Sequence, residues 1–544
     1  MPIATFNKKL LFRLLAYEMD TKALEDQITK MGLDVEGQTK EELTVEFPSN
    51  RPDLLGTVGL ARALKNFMHR SRRFTYKLEE HEPVLSIEAG EGVGKIRPYI
   101  SGLVVEGARF DDELLKDIIN FTEKLCETYG RKRQKIAIGM HNYSAIKGQL
   151  RYDAFPDEEF VPLGGNVRMR YSKIVAEHQK GMEYGHILKG KYVALKDDVD
   201  AIALIPIINS ERTKVTEKTT DLFIDITGTS KYVIDKTADI MAAMFMDLGA
   251  KVKPIGIVGA KYGEESPKMA SEEMMFPLFQ AEREIGVAIG FNNSLSLLEK
   301  MGYEGALVGK MIRARVPAYR VDVLNEQDVI EDFAIAYGYD YIRPLAIASS
   351  QQGELEKATL SNRRISMAML GLGFIEVMNS FLTNERDNFE SMRLQRPPMY
   401  ITVKNAVTIS LTMMRTWLLP SLLKNISASK NDRMPLKAFE VDLAFNMQDK
   451  IVSENYHLAA VETGPRVNFN DMKAYINALG SLLGVELKMD AAQHGSFIDG
   501  RCAKVTAEGI MLGYAGEIHP QVLSNFGIEE PTIGMDLSLA EIDL

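Results

Sequence analysis

Cysteine is almost absent. Cys126 and Cys502 are the two in 544 residues, far apart and without histidines at metal-ligand spacing. That excludes a cysteine-based zinc site within the chain and fits a reducing compartment. No apolar run reaches the length a bilayer span requires. The opening stretch MPIATFNKKLLFRLLAYEMD carries Lys8, Lys9 and Arg13 but no clean apolar core or small-residue cleavage site. It does not read as a signal peptide. Positive charge is in deficit, with 65 Lys and Arg against 75 Asp and Glu and a net charge of −10. That argues against coating nucleic acid by bulk electrostatics, while a local basic patch stays open. Chemical signatures are missing too: no GxxxxGK[ST] phosphate loop, no Gly-x-Ser-x-Gly elbow and no His-Glu-x-x-His helix. What remains is ordinary globular composition, 45% hydrophobic and 26% charged, long enough for about three to five domains. The 28 methionines read as a Met-rich core rather than a cofactor box.

One stretch, Arg320–Asp340, is dense in acids. Asn325 predicts a helix N-cap and Asp328, three residues on, completes a capping box. Val329, Ile330, Phe333, Ala334 and Tyr337 recur at helical spacing, and Gly338 predicts the stop. Asp328, Glu331 and Asp332 then share one face of the first turns, within reach of Asp322. Carboxylates so crowded need screening, and a hard cation such as Mg²⁺ is one candidate. The plainer reading is acids solvated at the positive end of a helix.

Elsewhere Asp20 predicts a cap for a helix running to Met31. The strand Leu43–Phe47 leads into PSNRPDLLG, a proline-fixed turn with Asp53 expected to cap the helix through Val58–Leu64. His81–Arg97 reads as a linker. A helix follows over Asp111–Tyr129, then the basic run Arg131–Lys135, a solvated loop or a phosphate contact. Two apolar runs end in polar clusters: Ala201–Ile208 runs into Asn209-Ser210-Glu211-Arg212-Thr213, and Leu222–Thr229 runs into a helix from Ser230 to Leu248. Buried strands with hydrogen-bonding ends are how pocket mouths are built. Capping by Thr229 or Ser230 and a turn at Asn209-Ser210 are the plainer account. A helix over Leu295–Met301 is expected to start from Asn293 or Ser294.

Several of these stretches resemble one family. Arg320-x-Asp322 with Asp328, Glu331, Asp332 and Tyr337-Gly338-Tyr339 is similar to the acidic signature of phenylalanyl-tRNA synthetase β subunits. So are the NRPD segment, the long run IPIINSERTKVTEKTTDLFIDITGT, and Asn405, Arg415, Leu418, Pro420 and Leu423 with GEIHP at 516–520. The resemblance covers nearly the whole chain and is to the short archaeal or eukaryotic type. It implies an α+β multidomain fold: an N-terminal α/β domain (1–96, with the linker), a tRNA-editing domain (97–256), a small winged-helix-like domain (272–346) and a class II synthetase-like antiparallel-sheet domain without catalytic residues (350–544).

It also implies Mg²⁺ on Asp322, Asp328, Glu331 and Asp332, and an editing pocket with Asn209, Ser210, Glu211, Asp225, Thr227 and Thr229, His141 being a further candidate. His519, before a proline, is given no catalytic role. Neither the class I signature peptides nor the glycine-rich, arginine-ending ATP motif of class II occurs. ATP and phenylalanine would therefore be bound mainly by a separate α subunit, in a cytoplasmic α2β2 tetramer that charges tRNA(Phe). Editing has its own physical rationale. An apolar pocket shaped for phenylalanine discriminates weakly against an added hydroxyl, whereas a site that hydrogen-bonds the hydroxyl rejects its absence by roughly 10⁴ or more. A free-standing trans-editing hydrolase and a non-catalytic tRNA-binding scaffold are the other readings.

Overall fold

A strand that is apolar on both faces belongs between two layers, and Leu222–Gly228 is buried at every position. In the computed structural model, which describes residues 2–70, 76–78, 82–259, 262–346 and 352–539, it runs through the middle of a four-stranded sheet. Its neighbours are Tyr99–Glu106 and Ile136–Asn142, both antiparallel, with Lys251–Lys253 at one edge. Leu222, Ile224 and Ile226 face a core shared with the helices Asp112–Glu127 and Lys231–Asp247. Phe223 faces the other way, with Ile100 and Val104, into the core of a seven-stranded mixed sheet. Residues two apart share a face, so Asp225 and Thr227 point into this sheet-on-sheet interface.

The segment expected to be a linker contributes to that larger sheet. Leu85–Ala89 pairs in parallel with Ile255–Gly259 and with Leu150–Phe155. Its Leu85 and Ile87 supply the apolar alternation that the proline and glycines around them obscure.

The chain divides into two compact units, Met1–Ala346 and Ile347–Leu544. The first also holds a small three-stranded sheet near its start (Ile3–Asn7, Asp34–Gln38, Glu42–Glu46) and another near its end (Glu272–Pro277, Glu304–Val308, Met311–Val316). Asp20 caps Thr21–Lys30 as expected, and Asp111, expected as the first residue of its helix, is instead the N-cap of Asp112–Glu127. Phe291–Lys300 starts from Gly290, earlier than the expected cap at Asn293 or Ser294. Ser230 stands at the cap of Lys231–Asp247 but its hydroxyl makes no capping bond.

In the second unit a seven-stranded sheet is antiparallel except where Ile375–Glu376 pairs with Leu436–Gln448. The helices Lys357–Gly371 and Phe469–Leu483 pack into the core of one face. Leu419–Ala428 and Pro520–Phe526 pack into a second core. His519 accepts the Gln521 amide as N-cap of the last helix, a structural role. Arg415, fully buried, bonds Glu440 at 2.6 Å and the Leu443 carbonyl at 2.9 Å. Breaking a buried pair from one side strands the other charge, which costs about 3–5 kcal/mol. Arg415→Met, which strands Glu440 and Asp442, is expected to lower the melting temperature sharply, read by thermal denaturation of the full chain.

Candidate functional sites

The sheet-on-sheet interface encloses a polar cluster. His141 is fully buried, its Nε2 3.0 Å from Asp225 Oδ2 and its Nδ1 2.8 Å from the Thr213 hydroxyl. A carboxylate only accepts, so Nε2 carries the hydrogen in that pair. Strand register explains the geometry: Asp225 stands opposite Gly139, and Phe223 opposite His141, on which it stacks at 5.9 Å. The Asp225 carboxylate crosses over Gly139 to reach the imidazole. A Cβ at 139 would lie 2.0 Å from Asp225 Oδ2, so only glycine fits. The ribbon after Ile205 closes the cluster: Asn209 Nδ2 donates to the Met140 carbonyl at 3.2 Å, and Ser210, buried, caps the turn that carries Thr213.

Of the residues expected in one pocket, the structure brings together Asn209, Ser210 and Asp225, with His141. Thr227 is on the same strand face but has a different partner. Arg97, 1% exposed, donates from Nε to Thr227 Oγ1 at 2.9 Å and from NH2 to its carbonyl at 2.6 Å. Its NH1 donates to the Arg133 carbonyl at 2.8 Å. Burial pulls the pKa of Arg97 below its usual value. Glu211 turns away, accepting the Gly164 amide at 2.6 Å and Lys214 at 3.1 Å. Thr229 is exposed and bonds the Gln134 carbonyl at 3.1 Å. Arg97 carried no signal in the sequence, being held to Thr227 across 130 residues, and Thr213 was visible only as the end of a polar cluster, its contact with His141 lying 72 residues away.

The basic run forms a left-handed turn. Arg131, Lys132 and Arg133 have φ of 49°, 52° and 62° in succession, a conformation costing roughly 1–2 kcal/mol per L-residue. Their amides close the end of Asp112–Glu127 by bonding the carbonyls of Thr128, Glu127 and Cys126. Arg133 goes inward, to the Pro206 carbonyl at 2.8 Å and over the Tyr184 ring at 4.6 Å, and it pairs with Glu123.

The acidic stretch folds as its local pattern predicts, with both halves of the Asn325–Asp328 capping box formed. The metal set does not assemble. Arg320 grips Asp322 with two bonds, 2.8 and 2.6 Å, and Asp332 with a third, 2.7 Å. Tyr303 donates to the same Asp332 oxygen. Asp328 spends one oxygen on the amides of Leu324 and Asn325, and Glu331 is exposed. Mg²⁺ needs near-octahedral oxygen ligation, and among the described residues no group of three or more His, Cys, Asp or Glu could hold a metal. The positive charge beside Asp322 and Asp332 in this structure is the Arg320 guanidinium.

The pairing continues into the N-terminal segment. Arg51 lies 4.0 Å from Asp322 and bonds Asp53 at 2.9 and 3.0 Å. Asp53 therefore serves as a buried counter-ion rather than the expected helix cap. Arg62 reaches Asp53 at 3.5 Å and Asp247 at 2.8 Å, stacking over Tyr319 at 3.7 Å. Gly59 lets its helix approach the turn, since a Cβ there would sit 1.8 Å from the Asp53 carbonyl oxygen.

Comparison with known proteins matches this architecture segment by segment. Residues 1–70 match the Phe-tRNA synthetase beta subunit B1 domain, 107–244 the B3/4 domain, 274–339 the tRNA synthetase B5 domain and 344–539 the phenylalanyl tRNA synthetase beta chain CLM domain. The beta subunit of phenylalanine–tRNA ligase from Archaeoglobus fulgidus is 35% identical, with 99% of this chain and 98% of that one covered. The corresponding subunits of Thermofilum pendens and Methanocaldococcus jannaschii are 33% and 32% identical, each over 99% of this chain and over 98% and 100% of their own. A crystallised N-terminal fragment of the Pyrococcus horikoshii beta subunit superposes with a TM-score of 0.59 at 29% identity, covering 62% of this chain and 99% of the fragment. A chain with these domains in this order is a subunit of an aminoacyl-tRNA ligase. It belongs to the phenylalanyl-tRNA synthetase β-subunit family, of the archaeal type.

Two outcomes follow from the arginine-centred acids. Arg320→Gln strands Asp322 and Asp332 and is expected to cost about 3–5 kcal/mol, whereas adding Mg²⁺ to the metal-stripped wild type leaves its melting temperature unchanged. Burial works to raise the Asp322 pKa, but Arg320 and Arg51 outweigh it and hold it below the usual carboxylate range. Its contribution is thus complete above the unfolded-state value of about 3.9 and is lost as pH falls through the lower folded value. The stability gap between wild type and Asp322→Asn should be constant near neutrality and close below about pH 4, measured by denaturation across pH.

Proposed function

We propose that this chain joins an α chain as the non-adenylating half of an α2β2 phenylalanine–tRNA ligase, charging tRNA(Phe) in the cytoplasm at the expense of ATP. The observation that carries this reading is the match to archaeal β subunits over 99% of the chain. The missing ATP motifs support an adenylation site for ATP and phenylalanine on the α chain. The sheet of 350–544 then acts as a class II-like docking surface without catalytic residues, and 272–346 as a winged-helix-like module.

The proposal extends to hydrolytic editing of tyrosyl-tRNA(Phe) within residues 97–256. Editing breaks the ester bond by adding water, releasing tyrosine and restoring the free 3′-terminal ribose hydroxyl. The buried set His141, Asp225 and Thr213, with Asn209, Ser210 and Thr227 beside it, is the part of this domain equipped to recognise a phenolic hydroxyl and seat a water. A site of this kind favours tyrosine over phenylalanine, because phenylalanine leaves its polar groups unpaired. His141, Asp225 and Thr227 are closed to solvent, so entry of the tyrosyl group requires the cover over them to open. Glu211 and Thr229 face away from this buried set, toward Gly164 and Lys214 and toward Gln134.

Two measurements check this. Phenylalanylation should appear when the chain is mixed with its α chain and be absent with either alone. In that complex Asp225→Ala and Thr227→Ala should each slow tyrosyl-tRNA deacylation by about a hundredfold with charging retained. Wild-type deacylation by both variants would show that the site lies elsewhere.

A further inference from the structure

The basic turn has no part in the functions above, yet its construction is specific. Three consecutive residues occupy the left-handed region, and the inward one, Arg133, fastens the turn to Glu123 and to the Pro206 and Ile207 carbonyls. Its neighbours Arg131 and Lys132 are thereby turned outward and are exposed, with Lys135 half-buried beside them. None of these three cations has a carboxylate partner among the described residues. Lys189, Lys191 and Lys218 likewise have no carboxylate partner among the described residues, so what sets this turn apart is that its cations stand together on one braced loop in left-handed conformation.

The turn is joined to the end of the Leu222–Gly228 strand. The Thr229 amide bonds the Lys135 carbonyl at 3.1 Å, and the Thr229 hydroxyl bonds the Gln134 carbonyl at 3.1 Å. Arg97 spans the Arg133 carbonyl and Thr227. Unpaired cations on a braced turn, one residue layer from a candidate ester-hydrolysing site, are placed to hold a polyanion whose end enters that site.

We propose that Arg131 and Lys132, supported by Lys135, form a phosphate clamp for the acceptor end of the tRNA whose ester is edited. This rests on the editing reading for the identity of the strand that is held, though the clamp itself does not require hydrolysis. A phosphate contact lowers affinity without sequence preference when lost, and weakens the salt dependence by about one for each contact removed. The contact is made before the chemistry, so it belongs in KM and not in kcat.

The test uses the complex with the α chain, comparing wild type with Arg131→Glu/Lys132→Glu. Both side chains are exposed, and glutamate meets the same backbone conformation that arginine and lysine already tolerate. The expected result is a KM for tyrosyl-tRNA raised on the order of tenfold at 0.1 M salt, unchanged kcat, and a salt slope reduced by about one to two. An unchanged KM and slope overturn the clamp, and so does a lowered kcat at unchanged KM, which would make the turn a support for the site. Should wild type fail to hydrolyse tyrosyl-tRNA, the editing reading falls. The same slope comparison on binding of uncharged tRNA then decides the clamp alone, with equal slopes overturning it.

Discussion

A buried arginine can be kept only where acids and carbonyls meet it on every side, and Arg320 imposes that condition on much of the first unit. Burial opposes its charge, but Asp332, Tyr303 and Asp322 more than compensate and raise its pKa well above the ordinary value. To supply those partners, the capped helix Glu326–Tyr337 must bring Asp332 inward and the preceding turn must bring Asp322 alongside. Through Arg51, Asp53, Arg62 and Asp247 the same alternation of charges runs from the small C-terminal sheet of the unit, through the N-terminal segment, to the helix Lys231–Asp247. The helical layer of the B3/4 domain is thus tied to the module that carries the acidic signature. A row of opposite charges with single partners on each side has one register, and this fixes the mutual placement of elements that apolar packing alone would locate more loosely.

This explains why the acidic cluster was half legible. The capping box is a local event within four residues, and Asn325 and Asp328 announced it in full. The repulsion among the acids was also real, but the sequence offers two ways to relieve it, a bound cation or an arginine. Arg320 was visible as part of the pattern while its direction was not. Asp53 failed as a cap for the same reason: its partners Arg51 and Arg62 are nearby in sequence, but they pull the carboxylate inward only once Asp247 and Asp322 are in place.

The B3/4 domain divides the same way. The run Leu222–Thr229 reads as a doubly buried strand because seven successive buried positions leave no polar face. Its polar insertions, Asp225 and Thr227, were therefore conspicuous. Arg97 was not, because it lay in a stretch whose glycines and Pro83 suggested a linker, and Thr213 stood out only as one of five polar residues after Ile208, with nothing to single out its tie to His141. Gly139 was a signal of the right kind, a glycine inside a strand marking a close approach, but register is needed to say what approaches it.

A sandwich of two sheets is most stable when its interface is apolar. Placing His141, Asp225 and Thr227 there, with the guanidinium of Arg97 behind them, costs desolvation that hydrogen bonds only partly return. Arg97 makes the cost plain, because its hydrogen bonds go to a hydroxyl and two carbonyls rather than to a carboxylate. An apolar residue of similar size would relieve that penalty and leave the strands paired. It would remove something else, the rigid connection between Thr227 and the backbone of the cationic turn. Polar groups kept at a loss of stability in the interior of a β-sandwich, converging on one strand end and linked to unpaired surface cations, are what a site for a polar group on an anionic polymer requires.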